Sequence, residues 1–218
     1  MSEQTISSWF STQEYKSRLA KIQNELKKRD LEGLVTLQPE TITWTTGYYS
    51  KGYTGFQLAI IPAEGDPFIM CRNVSAYYVE KTYAFSEYEY WVDGDKKIKK
   101  ALGLISRALG NNARIGIEVD AWPLSFSMYQ KFVSGLPNSQ WIDVGEMVAR
   151  LRIIKSPAEI DYQRRAALAA EAGMTAGINA AKAGNNEREV CGAVCSAMVI
   201  AGSDHPGPGV LSSGERAY

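Results

Sequence analysis

At 218 residues, 45% hydrophobic and 22% charged, the chain has the composition of a folded globular protein rather than a disordered one. Lys plus Arg and Asp plus Glu balance at 24 each, so there is no excess positive field to draw nucleic acid or an anionic membrane surface. Three cysteines without a Cys-x-x-Cys pair argue against a disulfide framework or a structural zinc site and fit a reducing compartment. Residues 1–10 lack a basic start followed by an apolar run, and no apolar stretch reaches the roughly eighteen residues of a membrane span. A cytoplasmic location is the expectation.

The first predicted helix opens at Ser11, where Ser11 and Glu14 form a Ser-x-x-Glu box and Tyr15, Leu19, Ile22 and Leu26 make one apolar face. A short buried strand is expected over Leu34–Leu37, then a short helix from Pro39 through Trp44 that ends at Gly47. Tyr48 to Phe56 is a glycine- and tyrosine-rich loop, of the kind that serves as surface packing or as an interface or substrate lid. Behind it, Gln57–Ile61 and Pro67–Cys71 flank an Ala-Glu-Gly-Asp turn and predict a β-hairpin. A helix from an Asn73 cap to Ala84 and a strand over Tyr88–Val92 follow. Asp95 is expected to cap a helix carrying Ile98, Leu102, Ile105 and Leu109, ahead of a strand at Arg114–Glu118. A helix from Pro123 through Phe132 and a strand at Gln140–Val144 complete the alternation. The fold class is α/β, with a mixed sheet flanked by helices.

Between Arg150 and Ile160 the texture changes. Ser156, Pro157 and Glu159 make a capping box with proline at the first helical position, so a long alanine-rich helix is expected to about Ala183. Asn186 and Glu189 open a second helix that runs to Gly202, and a loop with one apolar step at Val210-Leu211 follows. The domains are expected to be 1–150 and 151–218, the second being incomplete, because two helices and half a strand bury little surface alone.

Chemistry-bearing motifs are sparse. Cys191 and Cys195 share a helix face and read as small buried apolar residues, and Asp93 and Asp95 as turn and cap residues. There is no glycine-rich phosphate loop and no Gly-x-Ser-x-Gly elbow, and the single histidine, His205, lies in a loop between Asp204 and Pro206. The composition thus supplies no catalytic set and no metal site.

Taken together, Thr46-Gly-Tyr48, Ile115-Gly-Ile-Glu118, Leu151-Arg-Ile-Ile-Lys-Ser-Pro-Ala-Glu-Ile160, Gly184-x-x-Glu187 and Val210-Leu-Ser-Ser-Gly-Glu-Arg-Ala217 resemble the Xaa-Pro peptidase and creatinase family in order and spacing. The resemblance implies a creatinase-type N-terminal domain followed by the first helices of a truncated pita-bread α+β domain. It also implies a cytoplasmic homodimer that acts on a peptide or small-molecule amide, without nucleic acid or membrane as partner. In the metal-dependent branch, two divalent ions, manganese or cobalt, are held by Asp, His and Glu residues that would follow Tyr218. On this basis no residue here is catalytic and the 218 residues alone are expected to be inactive. Tyr53, Phe56 and His205 are the substrate-proximal candidates: the first two on the loop that the resemblance directs toward a partner's substrate, His205 near the active-site entrance. The alternatives are a creatinase- or ectoine hydrolase-type C–N hydrolase and a non-catalytic binding or dimerisation module.

Overall fold

In the computed structural model, which describes residues 9–52, 54–204, 209 and 211–217, the box at Ser11 opens helix α1 (Thr12–Lys28). The Ser11 hydroxyl accepts the Glu14 N–H at 3.1 Å. Tyr15, Leu19, Ile22 and Leu26 are all buried, as their spacing predicts, and so is Arg18 on the same face. Its guanidinium donates to the Trp44 carbonyl and to Glu14, and lies 4.1 Å from the Phe10 ring centroid. The charge is tolerated in this core because Glu14, the Trp44 carbonyl and the Phe10 ring compensate it.

Strand β1 (Gly33–Thr36) leads into α2 (Pro39–Thr46), which stops at Gly47 with φ of +78°. The hairpin forms from β2 (Leu58–Pro62) and β3 (Phe68–Arg72), paired antiparallel. Next come α3 (Ala76–Thr82), β4 (Tyr88–Trp91), α4 (Lys97–Leu109), β5 (Arg114–Ile117), α5 (Phe126–Gly135), β6 (Gln140–Asp143) and α6 (Met147–Leu151). Three predicted helix starts move. Asn73 is not a cap: a 3-10 turn at Asn73–Ser75 precedes α3. The Asp95 carboxylate instead accepts the Val92 N–H across the turn at 3.0 Å, leaving Lys96 at the start of α4. Pro123 lies in a turn, and Ser125 caps α5 by accepting the Met128 N–H. These side chains all favour turns as strongly as caps, so tertiary context chose between them. The short α6 has no counterpart among the predicted elements.

The six strands lie in the order β4-β3-β2-β1-β5-β6, and β2 runs against the other five. Alternation sends Val35, Ile60 and Met70 to one face, against Ala101, Leu104 and Ile105 of α4 and Phe132 of α5. Leu34 and Ile61 meet Leu19, Ile22 and Leu26 of α1 on the other. Both faces of β1 and β2 are therefore buried, which explains why their sequences are apolar apart from Thr36.

The chain divides into two compact units between Ile153 and Ile154. The second holds α7 (Pro157–Ala180) and α8 (Glu187–Ile200), each opened by its predicted capping box. The two helices approach closely where Gly173 and Gly177 leave room for Met198 and Val194; a Cβ at Gly173 would meet Met198 Cγ at 2.6 Å. Ala169 and Gly173 are the buried residues of α7, while Leu168, Met174 and Ile178 are exposed. Val210 lies outside the described residues, and Leu211 belongs to no regular element. Ser156→Ala is expected to destabilise the first turn of α7 by about 1 kcal/mol. Faster amide exchange at Glu159, whose N–H the Ser156 hydroxyl accepts at 3.2 Å, is the measurement.

Candidate functional site at the carboxyl end of the sheet

Sheet direction brings several side chains of the first unit together at one end. Thr36, Arg72, Trp91 and Asp143 are the last residues of β1, β3, β4 and β6, Glu118 directly follows β5, and the loop from Gly47 to Gln57 enters β2 there. The carboxyl ends of parallel strands are where open α/β sheets offer a crevice for ligands.

The loop is held at both ends. At its start, the Thr43 hydroxyl donates to the Tyr48 carbonyl at 2.9 Å, the Tyr49 N–H donates to Thr82 Oγ1 at 3.1 Å, and Ser50 Oγ lies 3.2 Å from Ser75 Oγ. The Tyr48 side chain is buried beside Cys71, and burial raises both groups, the Cys71 thiol to about 11. Both stay protonated at neutral pH and act as packing groups. At its end, the Trp91 indole N–H donates to the Phe56 carbonyl at 2.9 Å. Lys97 Nζ sits 5.0 Å from the Trp91 ring and 5.5 Å from the Phe56 ring, and Arg72, paired with Asp93, flanks Trp91 at 5.8 Å. Phe56 is thus a buried anchor of the loop. Outside these anchors the Tyr49 ring lies between Trp9 at 5.0 Å and Tyr78 at 6.2 Å, with Tyr77 exposed beyond.

Glu118 makes the second constellation. Its Oε1 accepts the Thr41 hydroxyl at 3.0 Å and its Oε2 accepts the Thr36 hydroxyl, which itself accepts the Gln38 N–H at 3.0 Å. Burial holds the carboxyl above its ordinary value of 4.5; the two threonines and Arg152 oppose that rise, and Glu40 adds to it. This junction was not singled out from the sequence beyond its place in Ile115-Gly-Ile-Glu118. The available signal was a carboxylate directly after an apolar strand, with threonines just after another.

Tyr53 and His205 lie outside the described residues, so of the three substrate-proximal candidates only Phe56 is placed. Cys191 and Cys195 are free thiols on α8 and are partly exposed rather than buried as expected; partial desolvation together with Cys195 raises the Cys191 thiol. Among the described residues no three His, Cys, Asp or Glu side chains converge to hold a metal ion. None of their helices is long and apolar enough to cross a membrane. The arrangement can anchor a loop and present aromatic surface at the carboxyl end of the sheet.

The sequence model of the creatinase/prolidase N-terminal domain matches residues 18–154. This chain belongs to that family. The match covers the sheet and its helices, so the resemblance drawn from the motifs is correct and the fold class is that of the family. Ectoine hydrolase from Halomonas elongata is 28% identical over 164 residues, covering 71% of this chain and 41% of that protein. Xaa-Pro dipeptidase from Lactobacillus helveticus is 23% identical over 177 residues, covering 81% and 48%. Among solved structures, prolidase from Thermococcus sibiricus shares the fold with a TM-score of 0.71 at 20% identity, covering 85% of this chain and 49% of that one. The chain spans about half the length of these relatives.

Proposed function

We propose that this chain is the N-terminal portion of a metal-dependent hydrolase that cleaves an amide or peptide bond. The first domain shapes the substrate site and contributes to dimerisation, and the segment from 151 opens the catalytic domain. The observation that carries the reading is the family match over residues 18–154, joined to alignments too long to stop at Ile153 in proteins about twice this length. In this reading the protein is a cytoplasmic homodimer that takes peptide or small-molecule amide substrates. Phe56 acts by fixing the loop that carries Tyr53 toward substrate, and His205 stands at the site entrance.

A pair of divalent ions, manganese or cobalt, would supply an activated water to such a reaction. The described residues do not fit that pair, because no set of three ligand-type side chains converges among them. This reading therefore assigns no metal ligand and no catalytic group to them.

A small-molecule C–N hydrolase is the second reading, favoured by the 28% identity to ectoine hydrolase. The test is hydrolysis of Xaa-Pro dipeptides and of ectoine, each with Mn²⁺ or Co²⁺. The 218 residues alone are expected to turn over neither. A polypeptide in which the second domain, opened at residue 151, is completed beyond residue 218 is expected to turn over one of them. Turnover by the 218 residues alone, or none by the extended polypeptide, overturns the proposal; the latter result favours the non-catalytic module.

A further inference from the structure

Both oxygens of Glu118 are taken by side chains from other segments. Thr36 closes β1, Thr41 lies in the first turn of α2, and Glu118 directly follows β5, so three segments meet on one group. Thr36 and Thr41 are almost wholly buried. Between them the Gln38 N–H donates to Thr36 and its carbonyl accepts the Ile42 N–H. At its other end α2 stops at Gly47 and passes directly into Tyr48 and the loop. Lifting the start of α2 away from β5 would therefore break the Thr41 contact, return that carboxylate oxygen to water and move the root of the loop, while Thr36 stays beside Glu118 through the β1–β5 pairing.

We propose that Glu118 is a proton-taking latch that clamps α2, and with it the root of the Tyr48–Phe56 loop, onto the end of β5. The charged groups that act on it are Arg152, at the end of α6, and Glu40, on the first turn of α2. One favours the ionised form and the other disfavours it, and burial tips the balance toward the neutral acid. The docked state thus holds a proton to higher pH than an undocked, solvated Glu118 does. By linkage, docking gains as pH falls through the raised value and is weakened as pH rises above it. Protonation keeps the threonine contacts usable, because each hydroxyl can either donate to the acid or accept from it. This role is independent of the reaction proposed above.

The test is amide hydrogen exchange across α2 and Tyr48–Phe56 between pH 4.5 and 8, corrected for intrinsic rates. The wild-type chain is expected to show roughly threefold to tenfold greater protection at the acid end. Glu118→Gln, which copies the neutral acid, is expected to hold the acid-level protection throughout and to lose the pH slope. Two milder variants report even if that one folds poorly. Glu40→Gln removes a repelling charge and should move the slope to lower pH, whereas Arg152→Gln removes an attracting one and should move it to higher pH. A wild-type slope of opposite sign, a Glu118→Gln chain less protected at pH 7 than wild type, or slopes unmoved by both Glu40→Gln and Arg152→Gln overturn the proposal.

Discussion

Arg18→Ala is expected to lower the unfolding free energy by about 2–4 kcal/mol, from lost packing and hydrogen bonds of a buried cation whose carboxylate partner is partly exposed. Arg18 has 3% of its surface exposed, and its guanidinium satisfies the Trp44 carbonyl and Glu14 while packing on Phe10, Tyr15 and Trp44. Alanine removes that packing, leaves a buried carbonyl without its donor, and leaves Glu14 without its cation. Arg18→Met keeps the apolar stem and should lose less than half as much, because an apolar replacement removes the desolvation penalty together with the pair. Urea unfolding followed by tryptophan fluorescence measures both. All five tryptophans precede Ile154, so the signal reports the first unit. A loss below about 1 kcal/mol for the alanine variant would show that the pair is no more than a surface-grade contact.

Gly47→Ala is the second large effect, expected at about 3 kcal/mol from a left-handed backbone and overpacking combined. Gly47 ends α2 with φ of +78°, and a Cβ there would stand 2.5 Å from the Thr82 carbonyl and 2.9 Å from a Tyr15 ring carbon. The carbonyl is backbone and cannot swing aside, so α2 and α3 must part. The same urea titration should show the loss, and faster exchange at Tyr49, whose N–H donates to Thr82, should accompany it. Gly65 has a comparable positive φ with nothing within 4 Å, so Gly65→Ala isolates the backbone part and should lose only about 1–2 kcal/mol.

Local chemistry was well read where a side chain and the amide it satisfies are three residues apart. Ser11, Ser156 and Asn186 cap α1, α7 and α8 as their spacing indicates. Asn73, Asp95 and Pro123 misled for the same reason: each suits a turn as well as a helix start, and the surrounding strands took the turn. The Tyr48–Phe56 loop was recognisable by composition, but its anchoring was not. The Trp91 indole reaches the Phe56 carbonyl across 35 residues, a partner that no local pattern encodes.

The sequence by itself determined the alternation of strands and helices, the capped helix starts and the membership of the creatinase/prolidase family. These rest on contacts within one helical turn, on the two-residue alternation of strands and on ordered motifs. Only the tertiary structure decided that Glu118 meets Thr36 and Thr41, which are 82 and 77 residues away, and that Phe56 is an anchor beneath Trp91. The physical reason is register: parallel pairing of Val35 with Ile117 sets the ends of β1 and β5 side by side, and a shift of one residue would turn those side chains to the opposite face.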